Sequence, residues 1–365
     1  MKILRNYLLA EFSKFLAISL GSFSFFYIIV DFITNIGAFT KHSPQFYYIL
    51  LYFLLKLPEI VYRVLPLSVL LSAMLLMISF NKNNEIMAIR SSGLTMLRFT
   101  SSLIIVATGI SVFAFMLSNF VTAKTNIERR IVMQKYINKK RTFDINSLYK
   151  YNTKNISIHY RNFIIIAKTV NLHRKLLKNI NIYQFNNKFK LVKRYNAKSG
   201  LFLKNGLELQ NGLIIYFHLK NNAAFSEKIF RKKMLPIKLN LNFFKSGMLR
   251  PEFLSIFNIG KMLKVAKKSG SDLGFLETSY YSKFAFPVIN LILIIIGISI
   301  GLSVGKKSGA SAAIGISILF AFGYWIINSV AISLGTALQL NPVLAAFMAD
   351  ITFSLLGIYL IADID

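Results

Sequence analysis

Long apolar stretches separated by short polar segments dominate the first third of the chain. Those at 15–36 and 99–123 each supply about 20 residues, enough for a helix to cross the hydrocarbon core of a bilayer. The apolar zone at 46–80 is longer and contains two prolines and several charged residues. It predicts an interfacial helix at 44–57, followed by a second span at 58–80 that is kinked at its prolines.

The last quarter of the chain repeats this apolar pattern. Residues 284–305 carry no charge and predict a fourth span. The next uncharged run is too long for one helix to span a bilayer, and Asn341 and Pro342 mark a turn inside it. It therefore predicts a fifth span at 310–332 and a sixth at 343–362.

The middle of the chain, 124–276, has the pattern of a β domain. Short runs of apolar or alternating residues are separated by clusters of Asn, Lys and Gly, which indicates an antiparallel sandwich or roll. Asn186-Asn187 and Asn211-Gly212 predict hairpin turns. The predicted strands lie at 155–160, 162–170, 180–185, 189–194 and 213–219.

Together these patterns predict an α+β membrane protein, in which three transmembrane helices stand on each side of an inserted antiparallel, jellyroll-like β domain. We expect the first three transmembrane helices in 1–123, and between the second and third of them a cytoplasmic helix at about 83–98. The insert at 124–276 includes a flanking helix at about 251–268, and the last three helices occupy 277–365.

The charge distribution predicts the orientation of the chain. Of its 44 Lys and Arg and 14 Asp and Glu, the 124–276 insert holds 32 and 6, a net +26 of the total +30. Because basic short loops stay in the cytoplasm, both termini and the 81–98 segment are expected there, with the insert outside. An external basic domain argues against nucleic acid and favours anionic lipid or glycolipid. A genome-wide drift toward Lys, Asn and Ile is the alternative cause.

Covalent chemistry has little support in the sequence. There are no cysteines, which rules out disulfides, thiolate catalysis and Cys-based metal sites. None of the four histidines has a neighbouring ligand at metal spacing. The glycine-containing segment at 301–308 lacks the spacing of a phosphate loop. We therefore predict no catalytic residue, metal site or bound cofactor, and we interpret Asp31 as a simple interfacial carboxylate.

The most distinctive motifs flank the second span. A Leu-Pro-Glu and a Leu-Pro precede it, and Glu59 can pair with Lys56 or Arg63 on the same helical face. Beyond the span, 84–95 reads Asn-Glu-Ile-Met-Ala-Ile-Arg-Ser-Ser-Gly-Leu-Thr, which predicts a short helix that stops at its glycine. On physical grounds alone this helix is either an amphipathic connector on the membrane or a docking element.

These motifs resemble those of the LptF/LptG permease family, which extracts lipopolysaccharide from the inner membrane. Residues 57–66 and 84–95 match its Leu-Pro-Glu, Leu-Pro and Asn-Glu-x-x-Ala-x-Arg-x-Ser-Gly pattern. The segment at 184–198 is similar to a strand pair of the family's external domain, and 281–287 to the start of its fourth span. The likeness covers essentially the whole chain.

The resemblance implies that the short helix docks in a groove of a separate dimeric, LptB-like ATPase, which uses the ATP and Mg²⁺. Glu85 would pair with a basic residue of that groove. Four apolar residues, Ile86, Met87, Ile89 and Leu94, would fill its floor. The predicted coupling residues are Asn84, Glu85, Ile86, Met87, Ala88, Arg90, Ser91, Gly93 and Leu94.

The resemblance also implies a lateral entrance for lipid bordered by spans one and five. Lys41, at the outer end of span one, is a candidate contact for lipid A phosphates. Lys124, Arg129 and Arg130, just beyond span three, are further candidates. Snorkelling of long cations at the interface is the alternative explanation for all four.

Close packing of helices is predicted by three glycines in the fourth span. Gly297, Gly301 and Gly305 form two overlapping Gly-x-x-x-Gly steps, and small residues let helix backbones approach closely in a bilayer. The packing partner is either another helix of this chain or a second subunit.

The predicted function is therefore the permease subunit of an ABC-type lipopolysaccharide exporter in the bacterial inner membrane. Leu334-Gly335, Asn341-Pro342 and Ala345-Ala346 favour the LptG type over the sister LptF type. Implied partners are the ATPase, an LptF-like permease, LptC- and LptA-like periplasmic bridge proteins and lipopolysaccharide. A membrane enzyme that modifies envelope lipids and a non-transporting scaffold are the alternatives from other classes.

Overall fold

The chain divides into a helical unit and a β-rich unit. The computed structural model describes residues 2–139, 156–160, 162–171, 176–186, 190–203, 206–218, 224–237, 254–269, 273–303 and 310–362. The helical unit comprises Met1–Lys140 with Gly274–Asp365, and the β-rich unit comprises Arg141–Leu273. The helical unit extends past the predicted boundary at 123 because the third membrane helix continues to Ile137.

Within the described residues, six helices are long and apolar enough to cross a membrane, as the sequence predicts. Two short helices lie among them, one after the second span and one inside the third. In chain order the helices of this unit are α1 (Lys2–Lys41), α2 (Phe46–Lys82), α3 (Glu85–Ser91), α4 (Met96–Met116), α5 (Ala123–Ile131), α7 (Gly274–Ser303), α8 (Ala310–Thr336) and α9 (Pro342–Ala362).

The predicted division of the second apolar zone is wrong, because α2 is one continuous helix that contains both Pro58 and Pro66. A proline removes one backbone hydrogen bond. Ending the helix would leave more backbone groups without partners in an apolar surrounding, which costs more. The third span is also continuous, and π-helical turns at Leu117–Thr122 and Val132–Ile137 lie before and after α5.

The core of the helical unit is built around α2 and α7. In the most apolar stretch of α2, 78% of residues are buried, and in α7 67%. The corresponding fraction is 6% in α1 and 17% in α8. The first and fifth spans are therefore the least buried of the six within this chain.

The β-rich unit contains one six-stranded sheet in which each strand pairs antiparallel with the next in sequence. A single apolar core with contributions from β2 to β6 lies against it, which fits the roll among the predicted arrangements. The helix α6 (Ile256–Ser269) follows the sheet. The strands are β1 (Ile156–Tyr160), β2 (Phe163–Asn171), β3 (Leu176–Phe185), β4 (Leu191–Leu203), β5 (Gly206–Phe217) and β6 (Ala224–Leu235).

The predicted hairpin at Asn211-Gly212 is wrong, because both residues lie inside β5. Asn211 has φ +51° and interrupts the alternation of buried residues, which passes from Leu209 to Ile214 across it. Asn179 in β3 does the same with φ +50°. Asparagine tolerates this left-handed conformation, so here it marks an irregularity within a strand rather than a turn.

Candidate functional site

The predicted coupling helix is α3, and it is joined to α2 by a turn of two residues. Asn84 has φ +61°, which reverses the chain directly after α2 ends at Lys82. The helix stops at Ser91, and Gly93 has φ +78°, a value that glycine adopts without strain. The helix is therefore shorter than the predicted 83–98 segment and is held between two membrane helices.

The two faces of α3 differ from the expected arrangement. Ile86 and Ile89 are buried in a core cluster shared with α1, α2 and α4, and Leu94 packs against it. Ile86 and Ile89 are therefore covered by their own bundle and Leu94 is partly buried, while the contact of these residues with a partner's groove stays a prediction. Met87 is 68% exposed and lies on the outward face. The other exposed coupling residues are Asn84, Ala88, Arg90, Ser91 and Gly93.

Glu85 is held by one side chain from a membrane helix and one from the turn that follows α2. The Tyr7 hydroxyl of α1 donates a hydrogen bond of 3.3 Å to Glu85 Oε1, and the Asn83 amide donates a second of 3.2 Å. The Tyr7 ring stacks on Phe80 of α2, with ring centroids 5.4 Å apart. Glu85 thus links α3 to α1 and to the turn after α2. Tyr7 lay beyond sequence reasoning, because nothing local indicates a contact with Glu85.

An ion network lies toward the opposite end of the same helices. Asp31 follows Tyr7 along α1 by about 36 Å at 1.5 Å per residue, which is close to the thickness of a hydrocarbon core. Lys56 of α2 pairs with Asp31, and the Tyr52 hydroxyl donates to Asp31 at 3.2 Å. Lys56 also lies 5.8 Å from the centroid of the Tyr52 ring.

A second carboxylate, Glu59, completes this network. It pairs with Arg63 on the same helix at 2.7 Å and with Arg129 of α5 at 3.0 Å. Of the two partners predicted for Glu59, the structure gives Arg63, while Lys56 turns to Asp31 instead. The network therefore connects α1, α2 and α5.

The charged side chains of the network are largely removed from water, so each of them needs its ion-pair partner. The side chains of Lys56, Asp31 and Glu59 are only 8, 11 and 9% exposed. A charge removed from water is costly unless it is paired and hydrogen-bonded. Asp31 is thus a partly buried carboxylate that is paired with Lys56, and its interfacial position stays a prediction.

The structure separates the four predicted lipid contacts. Lys41, the last residue of α1, and Lys124 of α5 are exposed. The Arg129 guanidinium is engaged by Glu59 and lies 5.8 Å from the centroid of Tyr52. Arg130 is half-buried. Lys41 and Lys124 are therefore the accessible cations of this set.

The two predicted packing glycines within the described residues face α2. A Cβ atom on Gly297 would lie 2.7 Å from the Leu70 carbonyl oxygen and 2.8 Å from Ala73 Cβ. A Cβ atom on Gly301 would lie 2.7 Å from Met77 Cβ. The backbones of α2 and α7 are therefore in direct contact within one chain. Gly305 lies outside the described residues.

Comparison with known proteins agrees with these features. The sequence matches the family described as "Lipopolysaccharide export system permease LptF/LptG" over residues 6–363, nearly its whole length. No curated protein gives a significant match. Six membrane helices, an antiparallel β insert and a short helix after the second span are all included in the matched region. The chain therefore belongs to the LptF/LptG family of lipopolysaccharide export permeases.

Proposed function

We propose that this chain is the LptG-type subunit of an exporter that extracts lipopolysaccharide from the inner membrane and passes it to a periplasmic bridge. A separate cytoplasmic ATPase supplies the energy. The observation that carries the proposal is the attachment of α3 to α2 through two residues, together with the contact of Glu85 with α1. A force on α3 is transmitted directly to both membrane helices.

The outward face of α3 is the surface for the ATPase. It presents Met87, whose side chain is flexible and apolar, and the carboxylate of Glu85 is partly exposed in the first turn of the same helix. Ile86 and Ile89 fix the helix to its own bundle rather than to the partner. Docking therefore uses a helix that is already held in place, so little ordering cost opposes binding.

The uncovered apolar faces of α1 and α8 are the place for the sister permease and for lipid. Few residues in the most apolar stretch of either helix are buried within this chain. Large exposed apolar surfaces mark contact with a membrane or a partner protein. Two related subunits that meet along these spans would enclose a lateral entrance between them.

Lipid A phosphates would meet the accessible cations at the outer end of the spans. Lys41 and Lys124 are exposed there, whereas Arg129 is committed to Glu59. The periplasmic β unit would then receive the lipid. Both termini would lie in the cytoplasm, as the basic short loops predict.

Purification of the tagged full-length chain from its native membrane tests the proposal. We expect a stable complex with an ATPase and a second permease, whose ATP hydrolysis changes when lipopolysaccharide is added. Phosphatidylethanolamine, a phospholipid that lacks the lipid A structure, serves as the control. Isolation of the chain without any ATPase, or hydrolysis that responds equally to both lipids, contradicts the proposal.

A further inference from the structure

A basic cleft lies at the end of the helical unit where α1 and α4 begin. It has a volume of about 280 Å³ and is lined by Lys2 and Arg5 of α1 and Arg98 of α4. No acidic side chain is among its lining residues in the described part of the chain. None of the three cations belongs to an ion pair seen among the described residues. The cleft therefore concentrates positive charge.

The rest of the cleft is lined by hydroxyl and apolar groups. Ser101 and Ser102 of α4 contribute their hydroxyls, and Leu4 and Phe99 contribute apolar surface. Ile105 also lines the cleft and is 74% exposed, and it lies about two helical turns along α4 from Arg98 toward the centre of the span. The cations lie at the helix ends and the apolar residue Ile105 lies deeper along the span. This arrangement matches a phospholipid, whose charged headgroup is followed by apolar acyl chains.

We propose that this cleft binds the phosphodiester headgroup of an anionic phospholipid of the cytoplasmic leaflet, with an acyl chain along Ile105. Guanidinium groups suit phosphate because they donate parallel hydrogen bonds. Basic sites between membrane helices on the cytoplasmic side recognise such headgroups. A free phosphate has the same charge chemistry but would leave the apolar lining unused, which favours the lipid.

The placement in the cytoplasmic leaflet rests on the orientation proposed above, but binding to the cleft does not. The test is lipid retention by the delipidated full-length chain in detergent, measured by native mass spectrometry. Phosphatidylglycerol is the probe, phosphatidylcholine the zwitterionic comparison and inorganic phosphate the competitor. The exporter proposal survives a negative result, since ATPase docking does not depend on this cleft.

The double variant Arg5→Gln/Arg98→Gln removes two cations from the cleft. We expect its affinity for phosphatidylglycerol to fall by roughly ten- to thirtyfold, because each cation near the headgroup contributes. Both side chains are exposed, so the fold should be retained, and its melting temperature verifies this. If the double variant does not fold, Arg98→Gln alone is expected to lower the affinity about fivefold.

The matched control is Lys14→Gln/Lys82→Gln, which removes the same charge from exposed positions outside the cleft. Its affinity should change by less than about threefold, because distant exposed charges are screened. Equal losses in both double variants would show general surface attraction and overturn the proposal. It is also overturned if phosphatidylcholine binds as well as phosphatidylglycerol, or if millimolar phosphate displaces the lipid.

Discussion

A single carboxylate, Glu85, connects α3 to α1 and to the turn after α2 through its hydrogen bonds to Tyr7 and Asn83. We expect Glu85→Arg to abolish growth that depends on lipopolysaccharide export and to lower lipid-stimulated ATP hydrolysis at least about tenfold. The reason is that the new arginine would repel the basic residue expected in the ATPase groove. Membrane insertion should be unchanged. Complementation of a depletion strain and the ATPase rate of the purified complex measure the two effects.

The control for Glu85→Arg is Glu11→Arg. Glu11 lies on α1 near the same end and forms an ion pair with Lys14 at 2.6 Å. It makes the same change of charge without touching α3. Full complementation by Glu85→Arg, or equal defects in both variants, would remove Glu85 from the docking role.

The Asp31–Lys56 pair gives a second prediction at this scale. Asp31→Leu leaves the Lys56 ammonium buried without its carboxylate, and we expect a loss of about 3–5 kcal/mol in stability. The double variant Asp31→Leu/Lys56→Met should recover much of that loss, because no buried charge is left unpaired. Thermal unfolding of the detergent-solubilised chain measures both.

Glu11→Leu provides the comparison, since Lys14 is 66% exposed and their pair should contribute only about 0–1 kcal/mol. A similar, small effect of Asp31→Leu would mean that water solvates Lys56, contrary to its 8% exposure.

Sequence reasoning finds side-chain pairs only where they are close along one helix. The Glu59–Arg63 contact follows from the spacing of four residues. The partners Asp31 and Lys56 come from different helices, and nothing in the sequence relates them. The accessible face of α3 was likewise not predictable, since Ile86 and Met87 are both apolar and only the neighbouring helices decide which one is buried.

At the scale of elements, the contact of α7 with α2 predicts an asymmetric response to added methyl groups. Gly297→Ala would place a Cβ 2.7 Å from the Leu70 carbonyl oxygen, so we expect about 1–3 kcal/mol of destabilisation from overpacking. In Gly315→Ala, on α8, the methyl meets no atom within 4 Å. That control should be neutral or slightly stabilising in the same melting experiment. Equal effects would contradict the close backbone approach.

The type and order of elements follow from local pattern far better than their limits do. Apolar length predicts all six spans because a bilayer imposes it. The prolines of α2 and the Asn-Gly of β5 misled the prediction for a common reason. Each residue type is tolerated in two structural contexts, and only the tertiary surroundings select one. The strand β6 was missed because it carries many cations and so lacks an apolar pattern. Its backbone pairing with β5, which the local sequence does not reveal, makes it a strand.

At the scale of the whole molecule, the absence of cysteine makes the orientation directly testable. Lys82→Cys, Lys232→Cys and Gln339→Cys each introduce one exposed thiol, in the α2 end, the β unit and the α8–α9 turn. On intact spheroplasts, a membrane-impermeant maleimide should label positions 232 and 339 fully. Position 82 should react only after permeabilisation. Labelling of position 82 on intact cells would reverse the proposed orientation.

The contact between α2 and the glycines of α7 also has a mechanical meaning. It lies around Ala73, about 14 Å along α2 from Lys82 and about 26 Å from Lys56 at 1.5 Å per residue. If α2 turns as one body about this point, its two arms have unequal lengths. A small displacement of α3 would then reach the Asp31–Lys56 pair in the opposite direction and enlarged about twofold. The position of the glycines would thus determine how large the displacement at the Asp31 end of α2 is relative to the displacement at α3.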